Sequence, residues 1–361
     1  MTLAPWTEEE VRSLASIGTG AKDTKDRIAG GKYPFFVRSQ KVERIDSWSF
    51  DGEAVLTAGD GVGTGKVFHY IDGKFDYHQR VYRISNFRSD ISGRYFFHQF
   101  SRNFLARIES LTAKSSVDSV RMETIAGMQI PVPERAEQDC IVRAIDDADD
   151  LIATLERLII KKQAIKQGMM QQLLTGRTRL PGFTDEWTDR RLGDVLTVRH
   201  GRNQRSVESP SGTVPILATG GQIGWADRPL YSKPSVLIGR KGTIDRPQYQ
   251  SRPFWTVDTL FYTEISAKAD PRFLYYVFQT IDWRSMNEAS SVPSLSSTRI
   301  ESVDVQLPDL TEQMAIREVL DAADAEITVL DTRLAKAHAI KTGMMQQLLT
   351  GRTRLPVEVN S

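Results

Sequence analysis

The chain has very little cysteine: Cys140 is the only one in 361 residues, so no internal disulfide framework can form, and a reducing compartment is expected. It also lacks a charge excess, since 47 Lys and Arg stand against 46 Asp and Glu; a uniformly basic DNA-coating protein is excluded, and any nucleic-acid surface has to be local. No stretch approaches the roughly 18 consecutive apolar residues of a membrane span. The opening MTLAPWTEEEVRSL is acidic where a secretory leader is basic and then apolar, which points to a cytoplasmic protein. The five histidines (His69, His78, His98, His200 and His338) have no ligand spacing, so no metal site is expected. The run GDGVGTGKV at 59–67 looks at first like a phosphate loop. It fails the pattern, because Asp60 stands where the first glycine belongs and Val67 where Ser or Thr must follow the lysine, and it reads better as a glycine-rich hairpin turn. No nucleophile elbow, methyltransferase motif or nuclease-type acidic cluster is present.

What the chain does have is a repeat. Residues 168–181 read GMMQQLLTGRTRLP, and residues 343–356 read the same 14 letters at an offset of 175. Further back, Glu137-Gln138 matches Glu312-Gln313, Pro133 matches Pro308, Ile125 matches Ile300, and Ser115-Ser116-Val117 matches Ser290-Ser291-Val292. Near the start, Trp6 followed by TEEEVRSL resembles Trp187 followed by TDRRLGDVL at an offset of 181. The chain is a tandem duplication of a unit of about 175–180 residues, each unit a divergent globular part followed by a nearly constant helix.

Those helices carry a coiled-coil seam. In the second copy Ile316, Leu320, Ala323, Ile327, Leu330, Leu334, Ala337, Lys341, Met344 and Leu348 keep strict 4-3 spacing; in the first, Ile141, Ile145, Ala148, Ile152, Leu155 and Ile159 do so before Lys162 and Lys166 interrupt. Pro133 and Pro308 precede the helices, Gly176 and Gly351 suit the residue after the last turn, and Pro181 and Pro356 stop them. A helix from Glu137 to Leu174 would rise about 57 Å. So narrow a stripe needs a second long helix, and the two copies are expected to pair with each other, antiparallel if a pseudo-twofold relates the units. The globular parts read as mixed α/β, with strand-like runs at 54–57, 67–71, 81–84, 214–218, 235–238 and 260–263 and helix-like runs at 94–108 and 271–286.

Charge by segment locates candidate binding residues. Between 190 and 252 there are 11 Lys and Arg against four acids, with arginine in excess, as bidentate guanine or phosphate recognition favours. The cations sit beside glycines: Arg199, Arg202 and Arg205 around Gly201, then Arg240 and Lys241 in LIGRKGT, with Arg246 following. In the first unit Arg38, Ser39, Lys41 and Lys66 hold comparable places, with Arg80 and Arg83 nearby.

With these residues in view, the chain resembles the specificity subunits of type I restriction-modification systems over essentially its whole length. The resemblance is carried by the helix entries IPVPERAEQ (130–138) and VQLPDLTEQ (305–313), by the exit MMQQLLTGRTRLP in both copies, and by Gly182-Phe183 and Trp187 leading into RLGDV; TVPILATGGQIG (213–224) and VLIGRKGTI (236–244) add to it. It implies an α+β fold of two globular α/β target recognition domains separated by two long antiparallel coiled-coil helices with pseudo-twofold symmetry. The boundaries would be 1–135 and 182–310 for the domains, 136–181 and 311–356 for the spacer helices, and 357–361 for a tail. Each domain would read one half of a bipartite, asymmetric site in double-stranded DNA. The helices, through seam residues such as Ile141, Ile145, Ile152, Leu155, Ile159, Ile316, Leu320, Ile327, Leu330 and Leu334, would fix the gap and dock two methyltransferase subunits, joined by restriction subunits. The chain would be non-catalytic and hold no cofactor, S-adenosylmethionine, ATP and Mg entering with the partners. The rival readings are a recognition subunit of a type IIB-like system, a coiled-coil scaffold for protein partners, and an enzyme built on the 59–67 loop.

Overall fold

The computed structural model describes residues 5–111 and 119–356, so the Ser115-Ser116-Val117 match and the 357–361 tail lie outside the described residues. The chain divides into two units, Met1–Thr154 with Leu334–Ser361, and Leu155–Arg333.

In the first unit β1 (Thr7–Glu10) leads into a short turn of helix α1 (Val11–Leu14) and strand β2 (Ser16–Thr19). Then follow β3 (Tyr33–Phe36), β4 (Glu43–Ile45), β5 (Phe50–Ala58), β6 (Phe68–Tyr77) and β7 (Val81–Ser85). Helix α2 (Gly93–Leu111), the short α3 (Met122–Ala126) and strand β8 (Gln129–Val132) precede the long helix α4 (Arg135–Leu173). Strands β2 to β7 form one six-stranded sheet in the order β2-β7-β5-β6-β3-β4, while β1 pairs antiparallel with β8. Helix α2 lays Phe96, Phe100, Phe104 and Ile108 against Val55 and Ile84 of the sheet. The i, i+4 spacing of those three phenylalanines puts them on one face, so the aromatic stripe dictates which side is buried.

The second unit repeats this plan with one break. It contains β9 (Thr188–Arg191), β10 (Leu196–Arg199), β11 (Val214–Ala218), β12 (Gly221–Ala226), β13 (Ser235–Gly239), β14 (Gln248–Gln250), β15 (Trp255–Thr256) and β16 (Leu260–Ile265), then α5 (Pro271–Thr280), α6 (Ser297–Glu301), β17 (Asp304–Leu307) and the second long helix α7 (Leu310–Leu348). Two sheets, β10-β16-β13-β14 and β12-β11-β15, take the place of one. The order matches the first unit strand for strand if β14 and β15 are the two halves of β6: β3 runs parallel to β6 at Phe35↔Asp76, as β11 does to β15 at Ile216↔Trp255. Pro253 stands between the halves, and without an N–H it cannot continue the ladder. The helix-like pattern over 271–286 also shortens: α5 ends at Thr280, Ile281 is extended, and the Trp283 indole turns back to donate to the Phe278 carbonyl.

Within each unit the start of one long helix lies beside the end of the other, so the helices pair antiparallel. In the first unit Ile141 and Ile145 of α4 pack with Met344, Leu348 and Leu349. In the second, Met170, Leu173 and Leu174 share a core with Ile316 and Leu320. The seam lysines are matched by acids from the facing helix: Lys341 bonds Asp149 in the first unit, and in the second Lys166 reaches Asp324 at 2.5 Å and Lys162 reaches Glu326 at 2.6 Å. Polar layers in an apolar seam stabilise little but fix register and direction, which explains why the 4-3 pattern survives its interruption.

The repeated TGRTRLP segment forms a clasp in each unit. Gly351 and Gly176 both sit at φ +67°, the left-handed conformation that ends a helix, and a Cβ on either would touch the ring of Trp6 or Trp187 at 3.4–3.5 Å. Arg354 forks onto Glu137, which also accepts from the Trp6 indole at 3.1 Å; Arg179 forks onto Glu312 at 2.6 Å on both arms, and Trp187 donates to the same carboxylate at 3.1 Å. Both glutamate side chains are only 2% exposed. The neighbouring Gln138 and Gln313 each brace the loop before α2 or α5: Gln138 accepts from Ser92 N–H and donates to the Asp90 and Pro133 carbonyls, and Gln313 accepts from Asp270 N–H and donates to those of Lys268 and Pro308. The Glu-Gln pair kept in both copies is therefore the joint between long helix and globular part.

A candidate nucleic-acid interface in each unit

In both units the candidate loops grow from the same piece of backbone. Gly20 and Gly201 follow the first sheet strand, and a Cβ on either would lie 1.9–2.0 Å from the Tyr77 or Val257 carbonyl, so only glycine fits. A turn follows that carbonyl, and the loop leaving the buried strand hangs from it: Gly59 N–H donates to Arg80 O at 2.8 Å in the first unit, and Arg240 N–H to Thr259 O at 2.8 Å in the second.

In the first unit the glycine-rich segment at 59–67 joins β5 to β6 in an antiparallel hairpin, not a strand to a helix, so no phosphate cradle at a helix N-terminus is built there. Its Asp60 accepts from Arg38 Nη1 at 2.8 Å and lies 3.7 Å from Arg80 Nε. Arg38 is 45% and Arg80 65% exposed around this partly buried carboxylate, and Lys66 is also exposed. The 38–41 turn is held by the Ser39 hydroxyl on Lys41 O and N–H and by the His69 ring on Ser39 O at 3.0 Å, while Lys41 pairs with Glu43 at 3.3 Å. Burial lowers the His69 pKa, keeping the ring neutral near pH 7. Two clefts of about 450 and 390 Å³ open on either side of Asp60, the first lined by Arg80, Tyr82 and Arg121 and the second by Arg38, Ser39 and Val62. Arg83 is spent elsewhere, its guanidinium stacked 4.0 Å from the Phe50 ring.

In the second unit Arg202 N–H donates to Thr256 O, and Arg240 and Lys241 N–H both donate to Thr259 O, so one short turn brings the 199–205 and 239–243 segments together. The guanidinium of Arg240 adds a bond to Asp258 O at 3.3 Å, and Lys241 is exposed. Arg202 and Arg205 project from the segment after β10, where the Arg202 carbonyl accepts from the Trp255 indole at 2.8 Å. Arg199 is already engaged by Glu264 at 2.9 Å. Arg246 is exposed next to Asp245, which Arg284 holds at 2.5 Å; that hydrogen bond lowers the Asp245 pKa. Asp60, Val62 at 98% exposure and the exposed Ile223 and Trp225 of β12 escaped sequence reasoning, because a search for cations passes over an acid and apolar residues.

Among the seam residues, Ile141, Ile145, Ile152, Leu155, Ile159, Ile316, Leu320 and Leu330 are buried and Ile327 and Leu334 half-buried. Leu151, Ile160, Ile165, Val329 and Ile340 face outward instead. Ile165 and Ile340 are equivalent positions of the repeat, so both units expose the same apolar residue beside the same GMMQQ sequence. No described helix is long and apolar enough to cross a membrane, and among the described residues no group of three or more His, Cys, Asp or Glu is placed to hold a metal ion.

A family model described as the type I restriction modification DNA specificity domain matches residues 4–166 and again 184–338. The type I restriction enzyme EcoDI specificity subunit of Escherichia coli is 24% identical, covering 95% of this chain and 87% of that protein. The type I restriction enzyme MjaVIII specificity subunit of Methanocaldococcus jannaschii is 21% identical over 83% of this chain and 79% of its own length. The crystal structure of the type I restriction-modification S subunit from M. genitalium superposes with a TM-score of 0.70 at 17% identity, covering 95% of this chain and 96% of that one, and so shows the same fold.

Proposed function

Because the chain belongs to the type I restriction modification DNA specificity family, with two copies of the domain, and is a DNA specificity subunit of such a system, we propose that each unit reads one half of a bipartite, asymmetric duplex site. The observation that carries this is the shared construction with different payloads. The same backbone turn delivers Asp60 between Arg38 and Arg80, with the exposed Lys66 further along the loop, in one unit, and Arg240 and Lys241 beside Arg202 in the other. Long cations suit phosphate contacts that set orientation, while a few side chains on a firm scaffold read base edges. A chain of net charge +1 releases few counterions on its own, so tight binding requires partners that clamp the duplex.

Those partners, in this reading, are two methyltransferase subunits that bring S-adenosylmethionine, joined by restriction subunits that use ATP and Mg, all in the cytoplasm with the DNA. The chain itself catalyses nothing and holds no cofactor. Identical partners are served by identical surfaces, and the duplicated Ile165 and Ile340 with their flanking GMMQQ segments supply one in each unit. Replacing Arg240 and Lys241 together by alanine is expected to weaken binding of the methyltransferase-bound complex by about 10-fold or more through the second half-site alone. Duplexes altered in the first half-site should lose affinity equally for variant and parent; losses spread over both half-sites would overturn the assignment.

A further inference from the structure

The tip of the β5–β6 loop carries a side chain for which the fold has no use. Val62 is 98% exposed, while Gly63, Thr64, Gly65 and Val67 around it are buried. The tip is fixed rather than loose: Thr64 N–H donates to Gly61 O, and Lys66 and Val67 N–H both donate to Gly63 O at 2.9–3.0 Å. Gly61 and Gly65 take φ +74° and +69°, and a Cβ on Gly63 would come within 2.6 Å of the Arg38 carbonyl. A loop that only connects two strands needs none of this. Here the chain is folded tightly to hold one branched apolar side chain out in water, with Lys66 exposed just beyond it and Arg38 and Arg80 at its base.

Apolar side chains have one specific target on a DNA base edge, the C5-methyl group of thymine in the major groove. We propose that Val62 is a base-reading residue of the first half-site, packing against a thymine methyl while Lys66 and Arg80 hold the flanking phosphates. This rests on the half-site reading above and adds the atom that is read. The corresponding loop of the second unit offers Arg240 and Lys241 instead, so no methyl contact arises from that position.

The test uses the full chain in complex with its methyltransferase and duplexes of the sequence that the complex methylates. Each thymine of the two half-sites is replaced in turn by deoxyuridine, which lacks only the methyl group. The parent complex is expected to lose about fourfold in affinity at one thymine of the first half-site. Val62→Ala should bind the thymine and deoxyuridine forms equally there and match the parent at every other position. Since Val62 touches almost nothing in the fold, this variant keeps the loop intact. A methyl effect that is the same in parent and Val62→Ala at every thymine, or no methyl effect in the first half-site, overturns the inference. A parent complex with no preferred sequence at all overturns the half-site reading with it, and the two failures are distinguishable.

Discussion

Glu137→Ala is expected to lower the unfolding free energy of the first unit by about 3–5 kcal/mol, and Glu312→Ala to do the same in the second. Each carboxylate is almost fully enclosed and accepts from both arms of an arginine and from a tryptophan indole. Removing it takes the bidentate acceptor from Arg354 or Arg179, and those guanidinium groups are themselves only about a quarter exposed. A surface ion pair would be worth about 0–1 kcal/mol, so the size of the loss separates the two descriptions. Arg354→Lys should recover only part of the Arg354→Ala loss, because an ammonium keeps the charge but cannot fork onto two oxygens. Urea unfolding followed by tryptophan fluorescence measures this directly, as Trp6 and Trp187 stand in the two clasps. Losses below about 1 kcal/mol would mean that each clasp adds no more to its own unit than a surface ion pair.

The second large effect concerns the gap between half-sites. Both long helices pass from one unit to the other, at Thr154 to Leu155 in α4 and at Arg333 to Leu334 in α7. Seven residues inserted at both points keep the seam in phase and leave every contact within each unit untouched. Seven residues add about 10 Å of helix, which matches about three base pairs at about 3.4 Å each. The methylated motif should therefore keep both half-sites and gain about three base pairs between them. An unchanged gap would show that the helices do not set the spacing.

Much of this organisation was legible in the letters, and the reasons differ by feature. The duplication shows because 14 residues recur unchanged, and the long helices because a 4-3 apolar seam is a local periodicity. The interrupting lysines could be seen but not explained, since their acids lie on the other copy's helix. The clasp was invisible for the same reason. Trp6 and Glu137 are 131 positions apart and Glu137 and Arg354 are 217 apart, so no window along the chain contains the site, although its pieces recur in both copies. In the second domain Arg240 and Lys241 announced themselves by charge. In the first, Asp60 between Arg38 and Arg80 reads as a neutral turn, and Val62 as an ordinary apolar residue, until burial shows which way it faces. The relation of β14 and β15 to β6 likewise becomes visible only through their common partners, because Pro253 divides one strand into two short ones.

The most direct test of the account is to co-express the chain with its methyltransferase and map every methylated adenine in the host genome. Two units of one construction carrying different side chains predict a single motif with two unlike half-sites and a fixed, sequence-independent gap. A continuous motif, or methylation without any motif, would contradict it.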